Sequence, residues 1–181
     1  MRLFLAINFD PQTKERILVV QRRLKELGRG SFSHPDNLHL TLAFLGEVAP
    51  GRVSAIREAM DGLTVPAMRL TFSHAGRFRR EGGDIWWLGL EPNQPLARLQ
   101  KELSGSLRGK GFALENRPFS PHITLARQVT LQQNIDPDSL LEAPFTAKAD
   151  TVSLMLSERI GSRLTYTRQY AVGAQENEVS G

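Results

Sequence analysis

HLTLA at residues 39–43 and HITLA at residues 122–126 are the two stretches from which the fold is read. In each, a histidine stands two residues before a threonine inside a short apolar run. Side chains along a strand alternate between faces, so His39 and Thr41 share one face and His122 and Thr124 share another. Leu40, Leu42, Ile123 and Leu125 point the opposite way, into a core. A single HxT is weak, because both residue types are common on exposed strand faces. Two copies, each followed by Leu-Ala, in a chain with only 4 histidines are far harder to obtain by composition alone.

Outward from the motifs, the order of elements repeats. Before the first lies a buried strand, Arg2 to Phe9. Asp10-Pro11 then forms a helix cap and first-turn proline, and Ile17, Val20, Leu24 and Leu27 recur at helical spacing up to Gly28. Arg29 to Asn37 reads as a loop, and the motif strand runs from Leu38 to Leu45. A second helix begins at Pro50, with Val53, Ile56, Met60 and Leu63 on one face. Ala67 to His74 alternates as a half-buried strand with Met68, Leu70, Phe72 and His74 on its apolar side.

The second round starts at the strand Asp84 to Leu90, after a hairpin loop from Gly76 to Gly83. Asn93 caps a helix carrying Leu96, Leu99, Leu103 and Leu107. A loop through Arg117-Pro118 reaches the strand His122 to Ala126. The motif histidines lie 83 positions apart. That shift places Leu3-Phe4-Leu5 on Trp86-Trp87-Leu88, Leu24 on Leu107, Gly28 on Gly111 and Pro35 on Pro118. The stretch Gln128 to Pro144 reads as irregular, with one helical turn after Asp138. Strands Thr151 to Leu156 and Leu164 to Val172 close the fold. The expectation is an α+β fold of two pseudo-symmetric lobes, each an antiparallel sheet with flanking helices, facing each other across a cleft. Residues 1–172 form one bilobal unit with internal duplication, and 173–181 a disordered tail.

The 181 residues suffice for a sizeable core. The absence of cysteine excludes disulfides, thiolate zinc sites and a cysteine nucleophile. The N-terminal apolar run is too short for a signal peptide and no stretch reaches membrane-spanning length, so a cytoplasmic protein is expected. The net charge of +4 is compatible with a phosphate-bearing partner and is too small to require one.

Two imidazoles, one neutral and one protonated, take a proton from a nucleophile and deliver one to a leaving group. Threonine hydroxyls donate to phosphoryl oxygens as charge builds there. Arg127, directly after the second motif, suits an anion clamp. Regular alternation up to residue 128, however, puts it on the face opposite His122 and Thr124.

NLHLTLAFLG (Asn37 to Gly46) and FSPHITLAR (Phe119 to Arg127) resemble the paired signatures of the two-histidine phosphoesterases. More narrowly they resemble the LigT/ThpR branch, the RNA 2′,3′-cyclic phosphodiesterases also called 2′-5′ RNA ligases. MRLFLAINFDP, GRFRREGGDIWWLGL and LMLSERIGSRLTYTRQYAV are similar to that branch too, so the resemblance spans residues 1 to about 172. It implies metal-independent hydrolysis of RNA 2′,3′-cyclic phosphate ends, such as those of tRNA fragments, to 2′-phosphomonoesters. It also implies reversible 2′-5′ joining. By motif, His39 is the proton donor to the leaving 3′ oxygen and His122 the proton acceptor from water. Thr41 and Thr124 match the phosphate-binding hydroxyls, and no metal or other cofactor is implied; Arg127, read above as the anion clamp, is the third phosphate-binding candidate, and nothing in the sequence demands more than a monomer. One departure is the absence of tryptophan before the first motif, where Phe32 is the candidate substitute.

The remaining candidates divide by environment. His34 reads as a surface loop residue and His74 as a core histidine. At least one of Trp86 and Trp87 reads as core. Arg77, Arg79 and Arg80 form either a solvated turn or a contact for the backbone of a longer RNA. The competing functions are a relative acting on small cyclic nucleotides or 2′-5′ oligonucleotides, a non-catalytic RNA-binding module, and a metallohydrolase. Intact histidine and threonine in both motifs argue against a mere binder, and the carboxylate-poor surroundings argue against a metal site.

Overall fold

The computed structural model describes residues 1–174. The first strand, β1 (Arg2–Asn8), leads into α1 (Pro11–Leu27), β2 (Gly28–Phe32) and β3 (His39–Glu47). Then come α2 (Val53–Asp61), β4 (Met68–Phe78), β5 (Asp84–Leu90) and α3 (Gln94–Gly109). The chain ends with β6 (His122–Leu131), β7 (Phe145–Ala149), β8 (Thr151–Ile160) and β9 (Arg163–Gly173). Short 3-10 turns stand at Pro35–Asn37, Pro50–Arg52 and Pro137–Leu140.

The two long helices start alike. The Asp10 carboxylate accepts from the Thr13 N–H at 2.7 Å and the Asn93 side-chain oxygen accepts from the Leu96 N–H at 3.0 Å. Each cap satisfies a donor that the first turn leaves free, and a proline follows within that turn. Ile17, Val20 and Leu24 of α1 and Leu96, Leu99, Leu103 and Leu107 of α3 then bury one stripe per helix.

All strand pairs are antiparallel and form two sheets, β3-β1-β8-β9 and β2-β6-β5-β4-β7. This is the α+β architecture expected, with one difference in its assembly. Neither sheet is built from one half of the chain: β4 joins the second sheet, and β8 and β9 return to the first. The helices cross over as well, α1 packing on β2 and β6, and α3 on β3 and α2. One continuous core therefore runs through both lobes, from Leu3, Leu5 and Leu40 to Trp86, Ile123 and Leu125.

Four local expectations are corrected. Gly28–Phe32 is an edge strand on β6 rather than part of a loop, because Gly28 and Gly30 leave room for the β6 backbone to approach. The stretch read as irregular opens with the end of β6, which runs on to Leu131, and it is followed by an unforeseen edge strand, β7, whose five residues are too few to show a period. The hairpin loop is shorter than expected, since β4 continues to Phe78. Gly173 completes β9, and the Ala174 N–H donates to the Asp150 carbonyl at 2.7 Å. The rest of the expected tail, 175–181, lies outside the described residues. Among the described residues no helix is long and apolar enough to cross a membrane.

Candidate active site

Both motif strands carry the same irregularity. In β3 burial alternates from His39 to Leu42, and then Leu42 and Ala43 are buried in succession. The register with β1 slips there, between Leu5–Ala43 and Ala6–Thr41. In β6, Leu125 and Ala126 are buried in succession, and the register with β5 slips between Trp87–Thr124 and Trp86–Ala126. Such a bulge adds one residue and inverts the alternation beyond it. Arg127 thereby returns to the face of His122 and Thr124, which corrects the orientation that regular alternation gives. The equivalent residue of β3 is Phe44, exposed on the Phe4 side with the Arg2 guanidinium 5.2 Å from its ring.

Each bulge is held by a glutamine from a helix. The Gln100 amide on α3 donates to the Leu42 carbonyl at 3.2 Å. Gln21 on α1, itself buried, donates at 2.9 Å to the carbonyls of both Leu125 and Ser33. Replacing Gln21 by leucine removes two bonds to backbone carbonyls, that of Leu125 buried and that of Ser33 half-buried. The expected cost is about 2 kcal/mol of stability, with weaker turnover because the bulge aims Arg127. Chemical denaturation beside an activity assay checks this; unchanged stability contradicts it.

The two histidines are held alike at Nδ1. His39 Nδ1 lies 2.7 Å from the Asn37 carbonyl oxygen and His122 Nδ1 lies 2.7 Å from that of Ser120. A carbonyl only accepts, so Nδ1 carries the proton in both rings and Nε2 is the working nitrogen. The Thr41 hydroxyl lies 2.9 Å from His39 Nε2 and donates to it when that imidazole is neutral. Burial holds His39 below the usual imidazole range, opposed by its bond to Asn37 and reinforced by the charges of His122 and Arg127. Burial also lowers His122, against its bond to Ser120 and with the help of Arg127. The fold thus brings His39, His122 and Arg127 within electrostatic reach of one another, on strands β3 and β6 that approach across the cleft. Protonating one imidazole disfavours protonating the other, and an arriving phosphate anion favours the charged form.

Aromatic rings wall the site, and these were not found from the sequence. His39 lies 4.8 Å from Phe4 and 5.2 Å from Tyr166, between ring centroids. Arg127 also acts on the Tyr166 phenol, whose pKa burial raises. On the other side His122 lies 5.4 Å from Phe78 and 6.1 Å from Trp87. The available signal was the 83-residue shift, which pairs Phe4 with Trp87. Tyr166 and Phe78 had none, because their strands meet the motifs only in the tertiary fold.

The other sequence candidates are distributed as follows. Trp86 is wholly buried, whereas Trp87 forms cleft wall. His74 is not in the core: a register slip between Phe72 and His74 turns it to the cleft face. There it lies in one row with Gly89 and His122. A Cβ at Gly89 would stand 2.3 Å from the His74 ring, so glycine is what lets that ring lie flat on the sheet. His34 is a surface residue, accepting from Arg163 at 2.8 Å. Phe32 pairs with Ala126 and packs on the core side, away from the cleft. Among the described residues, no group of three or more His, Cys, Asp or Glu side chains converges in a way that could hold a metal ion.

Comparison with known proteins follows the same lines. A model of the 2′-5′ RNA ligase superfamily matches residues 9–160. An RNA 2′,3′-cyclic phosphodiesterase of Escherichia coli is 35% identical over 137 residues, 75% of this chain and 77% of that protein. One from Thermotoga maritima is 34% identical over 131 residues, 70% of each chain. The crystal structure of E. coli LigT complexed with 3′-AMP superposes with a TM-score of 0.81 at 31% identity, covering 97% of this chain and 98% of that one.

Proposed function

This chain belongs to the 2′-5′ RNA ligase superfamily, and from that membership we propose that it is an RNA 2′,3′-cyclic phosphodiesterase, a hydrolase that opens cyclic phosphate ends to 2′-phosphomonoesters. The observation that carries the mechanism is the matched pair of imidazoles, each with Nδ1 on a carbonyl and Nε2 left to work. In the reaction, His122 takes a proton from water as its oxygen attacks phosphorus. The bond from phosphorus to the 3′ oxygen breaks, and His39 supplies the proton that this oxygen acquires. Thr41, Thr124 and Arg127 bind the phosphoryl oxygens, where negative charge accumulates. With an RNA 5′-hydroxyl in place of water, the same steps join two ends through a 2′-5′ linkage.

The enzyme acts as a bilobal monomer, in the cytoplasm, on RNA ends that include tRNA fragments. Support for the monomer is that one chain supplies both histidines and both threonines. The test is to incubate the protein with a short RNA ending in a 2′,3′-cyclic phosphate, in excess chelator, and to identify the product. A 2′-phosphate is expected. A 3′-phosphate overturns the assignment of the leaving oxygen, and loss of activity in chelator overturns the metal-independent reaction.

A further inference from the structure

Arg77, Arg79 and Arg80 line an open depression with Asp84 and Val129, on the Trp86 face of the sheet and opposite the face of Trp87 and His122. The β8–β9 hairpin, by contrast, reaches the catalytic pair from outside the motif strands. Leu164, near the start of β9, offers its carbonyl to the Asn37 side-chain amide, which donates at 2.8 Å. Asn37 ends the 3-10 turn Pro35–Asn37, and its N–H donates to the His34 carbonyl at 2.8 Å. Its own carbonyl is the one that lies 2.7 Å from His39 Nδ1. One residue therefore joins β9 to the imidazole, by a side-chain bond on one side and a backbone bond on the other.

Further contacts converge on the same turn. The Arg163 guanidinium donates at 2.9 Å to the Asp36 carboxylate and at 2.8 Å to His34. These groups are exposed, and such pairs hold little by themselves. Strand β9 also carries Tyr166, whose ring meets that of His39 edge-on at 5.2 Å. The other imidazole has no such tie. Ser120, whose carbonyl holds His122, lies outside any helix or strand. Among the described residues it makes no further bond to another element.

Resting on the reading of His39 as the proton donor, we propose that Asn37 is a positioning residue: its amide is anchored on β9, and its carbonyl fixes the His39 ring. The hairpin then sets the geometry of the donor and leaves the acceptor untouched. A carbonyl on Nδ1–H orients the ring, selects the tautomer that frees Nε2 and stabilises the imidazolium. The bond to Asn37 accordingly raises the pKa of His39 against the effect of burial. Loosening that bond lets the ring turn and makes it give up its proton at lower pH. The other charged or titratable groups that face His39 are His122 and Arg127 on β6 and Tyr166 on β9, and the substitutions below leave all three in place.

Asn37→Ala removes the amide donor, and Asn37→Leu removes it while keeping a side chain of similar size. In both, kcat on an RNA with a cyclic phosphate end is expected to fall roughly tenfold, a part of what proton transfer supplies. KM changes little, because the phosphate contacts remain. Of the two limbs of the pH profile, the one set by His39 moves to lower pH and the other stays. Nitrogen NMR titration of both imidazoles in the free protein reads the same change without turnover. The His39 pKa falls and its Nδ1–H tautomer loses population, while His122 matches wild type. Unchanged kcat with both imidazoles at their wild-type positions overturns the proposal, as does an equal shift of both. Loss of the folded state in both variants, seen by circular dichroism, makes the residue structural and overturns it too. If wild type turns over no cyclic phosphate end, the phosphodiesterase reading fails, and the NMR titration still decides whether Asn37 holds His39.

Discussion

Replacing either His39 or His122 by alanine is expected to lower turnover of a cyclic phosphate end by about 10²–10⁴-fold. Each imidazole offers one working nitrogen, because its Nδ1 is committed to the Asn37 or Ser120 carbonyl. Neither Thr41 nor Thr124 titrates near neutrality, so neither substitutes in proton transfer. The two rings act as a unit, and the double variant is expected to lose little more than the worse single one. The fold is expected to survive. His122 is only half-buried, and His39 packs against Phe4 and Tyr166 at the cleft surface rather than within the core shared by the lobes. Circular dichroism and a thermal melt separate loss of chemistry from loss of structure. A variant that folds and retains more than a tenth of wild-type turnover contradicts the role of its histidine.

The second large effect is at Arg127. Arg127→Ala is expected to lower kcat/KM by about 10²-fold, raising KM and reducing kcat together, because in the proposed mechanism the guanidinium binds the phosphate both before and during the reaction. A further change distinguishes this from loss of a surface charge. The Arg127 charge helps to hold both imidazoles below their usual range. Removing it raises both pKa values, so the activity profile moves to higher pH. Arg127→Lys keeps the charge and leaves the profile in place, yet does not restore the paired donors and recovers only part of the rate. An Arg127→Ala variant with wild-type rate and profile contradicts the clamp.

The motif histidines and threonines were legible because a period of two survives over the short stretch from His39 to Leu42, and again from His122 to Leu125. Hydrophobic spacing and caps likewise marked α1 and α3. What was not legible turns on events that a local period cannot register. The bulges at Leu42 and Leu125 invert the faces beyond them, which is why Arg127 pointed the wrong way in the sequence reading. The slip beside Ser73 did the same to His74. The exchange of β4, β8 and β9 between sheets is invisible to a repeat that matches elements in order, because the 83-residue shift says which strands correspond and not which strands pair. Tyr166 reaches His39 only through that exchange.

The central claim is that the cleft works with one neutral and one protonated imidazole. Its most direct test is the pH dependence of kcat/KM and kcat on a cyclic phosphate-ended RNA. As pH falls, His122 becomes protonated and loses its power to accept a proton; as pH rises, His39 loses the proton it must donate. Burial and the Arg127 charge hold both imidazoles of the free protein below the usual imidazole range. A bell-shaped kcat/KM profile is therefore expected, with its optimum on the acid side of that range. The kcat profile is expected at higher pH, because bound phosphate favours the imidazolium. A profile with a single limb, or one that rises without turning over, would contradict the claim.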